Sequence, residues 1–241
     1  MTAPGRHKLH TQEGKNRQFK ADHGQMILVD LSAQEKAQRA LYKTLNFFPT
    51  PPWATRAIVE MIPELRDNID DLDILEPAAG RGHIVDTLLA KGANVYAIDI
   101  HDYGMGYIQD DFLTARFHTP FDWVVMNPPF SEDSDRPGKP TIADKFIAKA
   151  LTLAPNVLVF ARLGFMTPVG RYKLITDHCD AIYVFCERVP IALGRISKKS
   201  GATDYAWYHF KRDADPLSHP ATILIPPGTR ARLTMPGDNR R

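Results

Sequence analysis

Four consecutive residues, Asn127-Pro128-Pro129-Phe130, combine side chains suited to chemistry on a planar amino group. The asparagine carbonyl is a neutral hydrogen-bond acceptor, and the phenylalanine offers a flat apolar face for stacking. Neither proline has a backbone N–H, so the pair is stiff and holds its neighbours with little entropy to lose. A second group lies upstream. Glu76 opens the turn Pro77-Ala78-Ala79-Gly80-Arg81-Gly82, Asp99 follows it, and Asp110-Asp111-Phe112 comes later. Gly80 and Gly82 allow a tight turn and close approach of a ligand to the backbone. The dinucleotide fingerprint is absent, because Val85 stands where its third glycine belongs. The helix start after the turn suits a carboxylate. An acid at Asp99 can hold two ribose hydroxyls, and one at Asp111 can accept from an exocyclic amine. Together these describe a site for a nucleoside without phosphates. Each also has a local reading: a stiffened loop at 127–130, a helix cap at Asp99, a surface turn at Asp110–Asp111.

The elements around them follow from hydrophobic periodicity. An apolar run from Phe121 to Met126 reads as a buried strand that Asn127-Pro128 must end. Asp73–Glu76 and Val95–Ile98 read as earlier strands, with a weaker one near Tyr107-Ile108. Val157–Ala161, Ala181–Cys186 and Tyr205–Phe210 follow, and Ile223–Ile225 reads as a short extra strand. Helical patterns lie between them at Val85–Leu89, Ala143–Leu153 and Val169–Thr176. A longer helix is expected from Pro52 to Leu65, with Thr50 as its cap and Pro51 at its first position. Ser32 and Glu35 form a capping box for a helix bearing Ala37, Leu41 and Leu45. Alternating strands and helices imply an α/β fold: a doubly wound, Rossmann-like sheet of about seven strands, mostly parallel. Strands six and seven lack a helical connection and predict an antiparallel hairpin at the sheet edge. The expected division is a basic, disordered arm at 1–30, one domain at 31–226 and a basic tail at 227–241.

The chain has 241 residues, 44% hydrophobic and 24% charged, which fits one sizeable core. The net charge of +2 is too mild to announce a nucleic-acid binder by itself. Its basic ends can add affinity for a phosphate backbone or simply be solvated. There is no apolar stretch of bilayer length and no signal-like start, so a cytoplasmic location is expected. Cys179 and Cys186 read as reduced core residues. No Cys/His cluster has zinc spacing, and no metal is expected.

Glu76–Gly82, Asp99, Asp111-Phe112-Leu113 and Asn127–Phe130 resemble the motifs of class I S-adenosylmethionine-dependent methyltransferases. More narrowly, they are similar to the DNA N6-adenine methyltransferases. Phe48-Pro49-Thr50-Pro51 resembles the N-terminal cofactor motif of that family. The resemblance spans roughly residues 46 to 210 and implies the methyltransferase form of the fold. S-adenosylmethionine is the implied cofactor and S-adenosylhomocysteine its product. Thr50, with Phe48 and Pro51, and the turn from Pro77 and Ala78 to Gly82 would meet the methionine carboxylate. Glu76 would meet the methionyl amine, Asp99 the ribose, and Asp111 with Phe112 the adenine, and Ile100 would also bind the cofactor. Asn127 and the Pro128 carbonyl would accept from the target amino group, with Pro129 stiffening the corner and Phe130 stacking on the base.

The implied acceptor is adenine in DNA. An RNA adenine or a protein glutamine is the alternative, and a retained fold that only binds nucleic acid is a third reading. The glutamine-modifying relatives more often have Tyr at the place of Phe130 and lack the Phe-Pro-Thr-Pro segment. Ser131 opens a loop to Thr141 that can close over substrate or remain a solvent loop. Arg195, Lys198 and Lys199 can grip phosphates or form a solvated face. No recognition domain of the kind most relatives carry is expected within these 241 residues, which argues against stringent sequence specificity and resembles the small members carried by phages, prophages and plasmids.

Overall fold

The computed structural model describes residues 18–22, 25–29, 31–130, 140–196, 203–215 and 220–238. Ser131, Lys198 and Lys199, and most of the loop expected between Ser131 and Thr141, lie outside these residues. The chain divides into two units between Thr44 and Leu45.

In the first unit, strand β1 (Gln18–Asp22) pairs antiparallel with β2 (Gln25–Val29), and helix α1 (Leu31–Thr44) follows. Strands stand where a disordered arm was expected; the run Met26-Ile27-Leu28-Val29 is apolar and rich in β-branched residues, which favour extended backbone. Helix α1 begins at Leu31, which puts Ser32 inside the first turn instead of at the cap. Ala37 and Leu41 are exposed.

The second unit begins with α2 (Pro52–Met61) and α3 (Pro63–Asn68). The single helix expected from Pro52 to Leu65 is two, because Pro63 cannot continue the first and instead starts the second. Next come β3 (Asp73–Glu76), α4 (His83–Leu89), β4 (Asn94–Asp99), β5 (Ile108–Gln109) and β6 (Trp123–Met126). Then α5 (Ile142–Leu153), β7 (Asn156–Arg162), α6 (Tyr172–His178) and β8 (Cys179–Phe185) continue the alternation. A small hairpin, β9 (Ile191–Ala192) with β10 (Arg195–Ile196), precedes β11 (Tyr205–Lys211), β12 (Ala221–Ile225) and α7 (Thr229–Leu233).

Eight strands form the main sheet, in the order β12, β8, β11, β7, β6, β3, β4, β5. All run the same way except β11, which is antiparallel to both neighbours. The expected α/β, mostly parallel Rossmann-like sheet is present, with one strand more than seven. The expected edge hairpin is not at the edge: β8 and β11 do pair antiparallel, but β11 lies between β7 and β8, and β12 covers β8. Ala206, Trp207, Tyr208 and Phe210 of β11 are fully buried, which suits an interior strand covered on both faces.

Alternation of side chains along the strands builds two cores. Trp123 and Val125 of β6 join Ile74, Leu158, Phe160 and Trp207 against α2 and α4. Val124 and Met126 point the other way, with Leu75, Val159 and Tyr208, against Phe146 and Ile147 of α5. Helix α2 is buried nearly all round, from Trp53 to Val59. The tail expected to be a basic appendage folds back onto it. Leu233 of α7 is buried, its carbonyl accepts from Arg56 Nε at 2.8 Å, and Arg56 pairs with Asp238. Both cysteines are free; Cys179 is buried as expected, whereas Cys186 is exposed just past the end of β8. No helix among the described residues is long and apolar enough to cross a membrane.

His209 of β11 is buried, stacked on Trp123 at 5.0 Å, with Nε2 3.0 Å from Asn156 Oδ1. Burial pulls its imidazole down to about 4, assisted by Lys211 and opposed by Asp180. The folded protein therefore takes up this proton less readily than the unfolded chain does. The stability this group leaves intact above pH 6.5 is lost as pH falls towards 4, by up to about 3 kcal/mol. Urea unfolding at pH 7 and pH 5 is expected to show a smaller pH difference in His209→Gln than in the parent. An equal difference in both would show that His209 does not set this dependence.

Candidate active site

The strand order reverses between β3 and β6. From β3 the chain winds outward through β4 and β5, then returns to β6 and winds the other way through β7. In open α/β sheets a crevice opens at the carboxyl ends of the strands at such a switch point. Glu76 is the last residue of β3 and Asn127 the first beyond β6, so the two groups singled out in the sequence flank this crevice.

Asn127 is the best-determined member. Its Nδ2 donates to the Phe48 carbonyl at 2.7 Å and to Thr50 Oγ1 at 3.0 Å. Both amide protons are thus committed, and this network fixes the orientation of the amide. The carbonyl Oδ1 is what Asn127 has left to offer. Thr50 is 2% exposed and does not cap α2; Pro51 occupies the cap position, and no side chain caps that end. The cap expected from the sequence is absent because the hydroxyl serves Asn127. Pro128 is buried, Pro129 and Phe130 are half-buried, and the Phe130 ring meets Phe165 edge-on at 6.0 Å.

Glu76 is completely buried. Its Oε1 accepts from the Ala78 N–H at 3.2 Å, while Oε2 has no hydrogen-bond partner among the described residues. Burial pushes the Glu76 carboxyl well above the usual range; the bond from Ala78 works against this, and the nearby Asp99 adds to it. Asp99 accepts from the Gly80 N–H at 2.8 Å and the His101 N–H at 2.9 Å. Its carboxyl is also raised, by burial first, with those backbone bonds opposing. Pro77 and Ala78 carry the chain into the turn. Gly80 and Gly82 have φ of +52° and +79°, the left-handed region. Space is a second constraint on both. A Cβ on Gly80 would sit 2.8 Å from the Phe47 ring, and one on Gly82 would sit 2.1 Å from the Tyr107 hydroxyl.

Asp111 and Phe112 part company. Asp111 Oδ1 accepts from the Leu113 N–H at 2.9 Å, at the start of a tight turn. The Phe112 ring is 1% exposed and packs on Phe146 and Phe117 with Lys149 above it. Its side chain belongs to the core, so only its backbone can face a ligand. Ile100 is 61% exposed, next to Asp99. Arg195 is exposed on β10, and the adjoining Gly194 N–H donates to the Phe47 carbonyl at 2.9 Å. This bond joins the β9–β10 hairpin to the segment holding Phe48 and Thr50.

The sequence reading missed the aromatic shell. Phe47 approaches Tyr103 to 5.0 Å and His101 approaches Tyr103 to 4.7 Å, and His101, Tyr103 and Tyr107 line a recess beside Gly80 and Asp99. Its sequence signal was the Tyr-Gly-Met-Gly-Tyr run at 103–107. Among the described residues no group of three His, Cys, Asp or Glu side chains could hold a metal.

A buried carboxyl raised above its ordinary value binds its proton more tightly in the folded protein. Its contribution to stability is therefore lost as pH climbs above about 4.5. Glu76→Gln keeps the acceptor for Ala78 and removes the charge. It is expected to melt no lower than the parent at pH 5 and higher at pH 8. A lower melting temperature at pH 8 would show that the charged form is stabilised within the fold.

No protein-family model matches the sequence, and no curated protein matches it. Solved structures do. A protein from Listeria monocytogenes, assigned as a class I S-adenosylmethionine-dependent methyltransferase, superposes with a TM-score of 0.53 at 13% identity. The alignment covers 83% of this chain and 75% of that one. An assigned RNA methyltransferase from Pyrococcus horikoshii gives 0.50 at 16% identity, covering 73% and 97%. A modification subunit of an assigned type I restriction enzyme from Vibrio vulnificus gives 0.50 at 15% identity over 85% of this chain; the chain spans 55% of that subunit's length. In fold, this chain is an α/β protein with a mostly parallel, Rossmann-like sheet similar to that of these structures.

Proposed function

We propose that this chain transfers a methyl group from S-adenosylmethionine to the N6 amino group of adenine in DNA. The observation that carries the reading is the commitment of both Asn127 amide protons to Phe48 and Thr50. A carboxamide held this way at a strand end can present only its acceptor to a planar amino group.

The chain's residues suit the cofactor. Glu76 Oε2 is a buried carboxyl oxygen with no partner among the described residues, and a methionyl ammonium beside it would favour the charged form that burial opposes. Asp99 keeps lone pairs for ribose hydroxyls beyond the bonds from Gly80 and His101. Ile100 gives an apolar face, Asp111 an acceptor, and the Phe112 backbone a donor for the adenine. When bound, the cofactor supplies a methyl group on a positively charged sulfur, which departs as a neutral thioether.

The acceptor is the difficult partner. The N6 lone pair is delocalised into the adenine ring and is a poor nucleophile. Asn127 Oδ1 and the Pro128 carbonyl, placed out of the ring plane, favour a pyramidal nitrogen and stabilise the positive charge that grows there. The new C–N bond takes that lone pair, the C–S electrons leave with sulfur, and the nitrogen then gives one proton to solvent. Phe130 stacks on the base, which must leave its duplex to reach the corner. Because Thr50 Oγ1 and the Phe48 carbonyl aim the amide, Thr50 is a positioning residue.

Two substitutions test this. Asn127→Ala is expected to abolish transfer of labelled methyl to mixed-sequence DNA while cofactor binding by calorimetry persists; intact turnover would sink the mechanism. Thr50→Val is expected to lower kcat about 10-fold or more with little change in KM for DNA, the cost of losing one hydrogen bond that aims the acceptor. Thr50→Ser should restore it. Digestion of the products to nucleosides identifies the acceptor: N6-methyladenine in RNA alone, or methylated glutamine, would replace DNA in this reading.

A further inference from the structure

The carboxyl edge of the sheet has two sides. Over β3 and β4 lie Glu76, the glycine turn and Asp99; beyond Asn127 the same edge carries the segment that leaves β7. Residues 162–173 of that segment include Arg162, Arg171 and Lys173 and no acid. The segment is firmly held. Thr167 donates to the Gly164 carbonyl through both its backbone N–H and its hydroxyl, and the Arg171 N–H donates to the Pro168 carbonyl at 2.9 Å. The Arg171 guanidinium donates to Asp144 Oδ1 at 2.7 Å, the Phe165 carbonyl at 3.0 Å and Thr141 Oγ1 at 3.0 Å, and lies 4.1 Å above the Phe165 ring. Phe165 is the ring that meets Phe130. A braced turn is thus coupled, ring to ring, to the catalytic corner.

This turn presents Val169 at 93% exposure and Tyr172 at 73%. A single exposed apolar residue has no special meaning, but here two occur within four positions on a rigid tip flanked by bases. The geometry points to an occupant: we propose that Pro168–Tyr172 is a wedge that enters the base stack of duplex DNA. Val169 fills the space left by the target adenine, Tyr172 stacks beside it, and Arg162 and Lys173 contact the flanking phosphates. This rests on the reading of the chain as a DNA adenine methyltransferase. Apolar wedges of this kind stabilise an opened base step, which a duplex otherwise resists. A single strand needs no such help.

The test compares Val169→Ser and Tyr172→Ala with the parent on mixed-sequence DNA, as duplex and as the same DNA held single-stranded. Val169 and Tyr172 are exposed, so melting temperatures should match the parent's. The expected result is a loss of about 10-fold or more in kcat/KM on duplex with less than about a 2-fold change on single strands, as fits a step that only the duplex requires. Equal losses on both acceptors, or no loss on duplex, overturn the wedge and leave the methyltransferase reading in place. Absence of methyl transfer by the parent to either acceptor overturns both.

Discussion

The site depends on the orientation of one carboxamide. An asparagine at a strand end has two nearly equivalent ways to lie, one offering a donor and one an acceptor. Phe48 and Thr50 remove the ambiguity by taking both of its protons. The prolines on either side explain why this works. Pro49 and Pro51 hold the Phe48–Thr50 segment extended, and Pro128 and Pro129 do the same after Asn127. Two stiff segments meet through two hydrogen bonds, and little freedom remains to be lost when an acceptor arrives.

The sheet supplies the other constraint. Reversal of strand order between β3 and β6 places Glu76 and Asn127 on opposite sides of one crevice. The two residues need different surroundings. Glu76 is buried where its charge is costly unless a cation is near, whereas Asn127 is neutral and half-buried. A single fold thus offers a fully buried carboxyl at the end of β3 and a half-buried carboxamide at the end of β6.

Much of this was legible in the sequence because it is local. The strand ending at Asn127, the glycine turn after Glu76 and the alternation of strands and helices are patterns of neighbouring residues. What escaped was set by distant partners. Thr50 had the local look of a helix cap, and its true partner lies 77 positions away. Phe112 stood next to a site acid, yet its ring was claimed by Phe146 and Phe117. The β11 run read as the outer half of a hairpin, since no local pattern says that a strand will be inserted between two earlier ones. The tail looked like a solvated basic end until Arg56 and Leu233 gave it a place. Arg171 and Phe165 carried no motif at all; their importance comes from touching Phe130's surroundings.

The antiparallel course of β11 has an effect on how such a protein can change. Strands β8 and β11 are neighbours of opposite direction, so the connection from 186 to 204 leaves and re-enters the sheet at the same edge, the edge that carries the site. Material added to that connection need not thread the sheet or disturb either core. It would extend from the β9–β10 hairpin, where the Gly194 N–H bonds the Phe47 carbonyl. The fold therefore has a built-in graft point, where insertion or deletion can leave the bonds of Asn127 to Phe48 and Thr50 as they are.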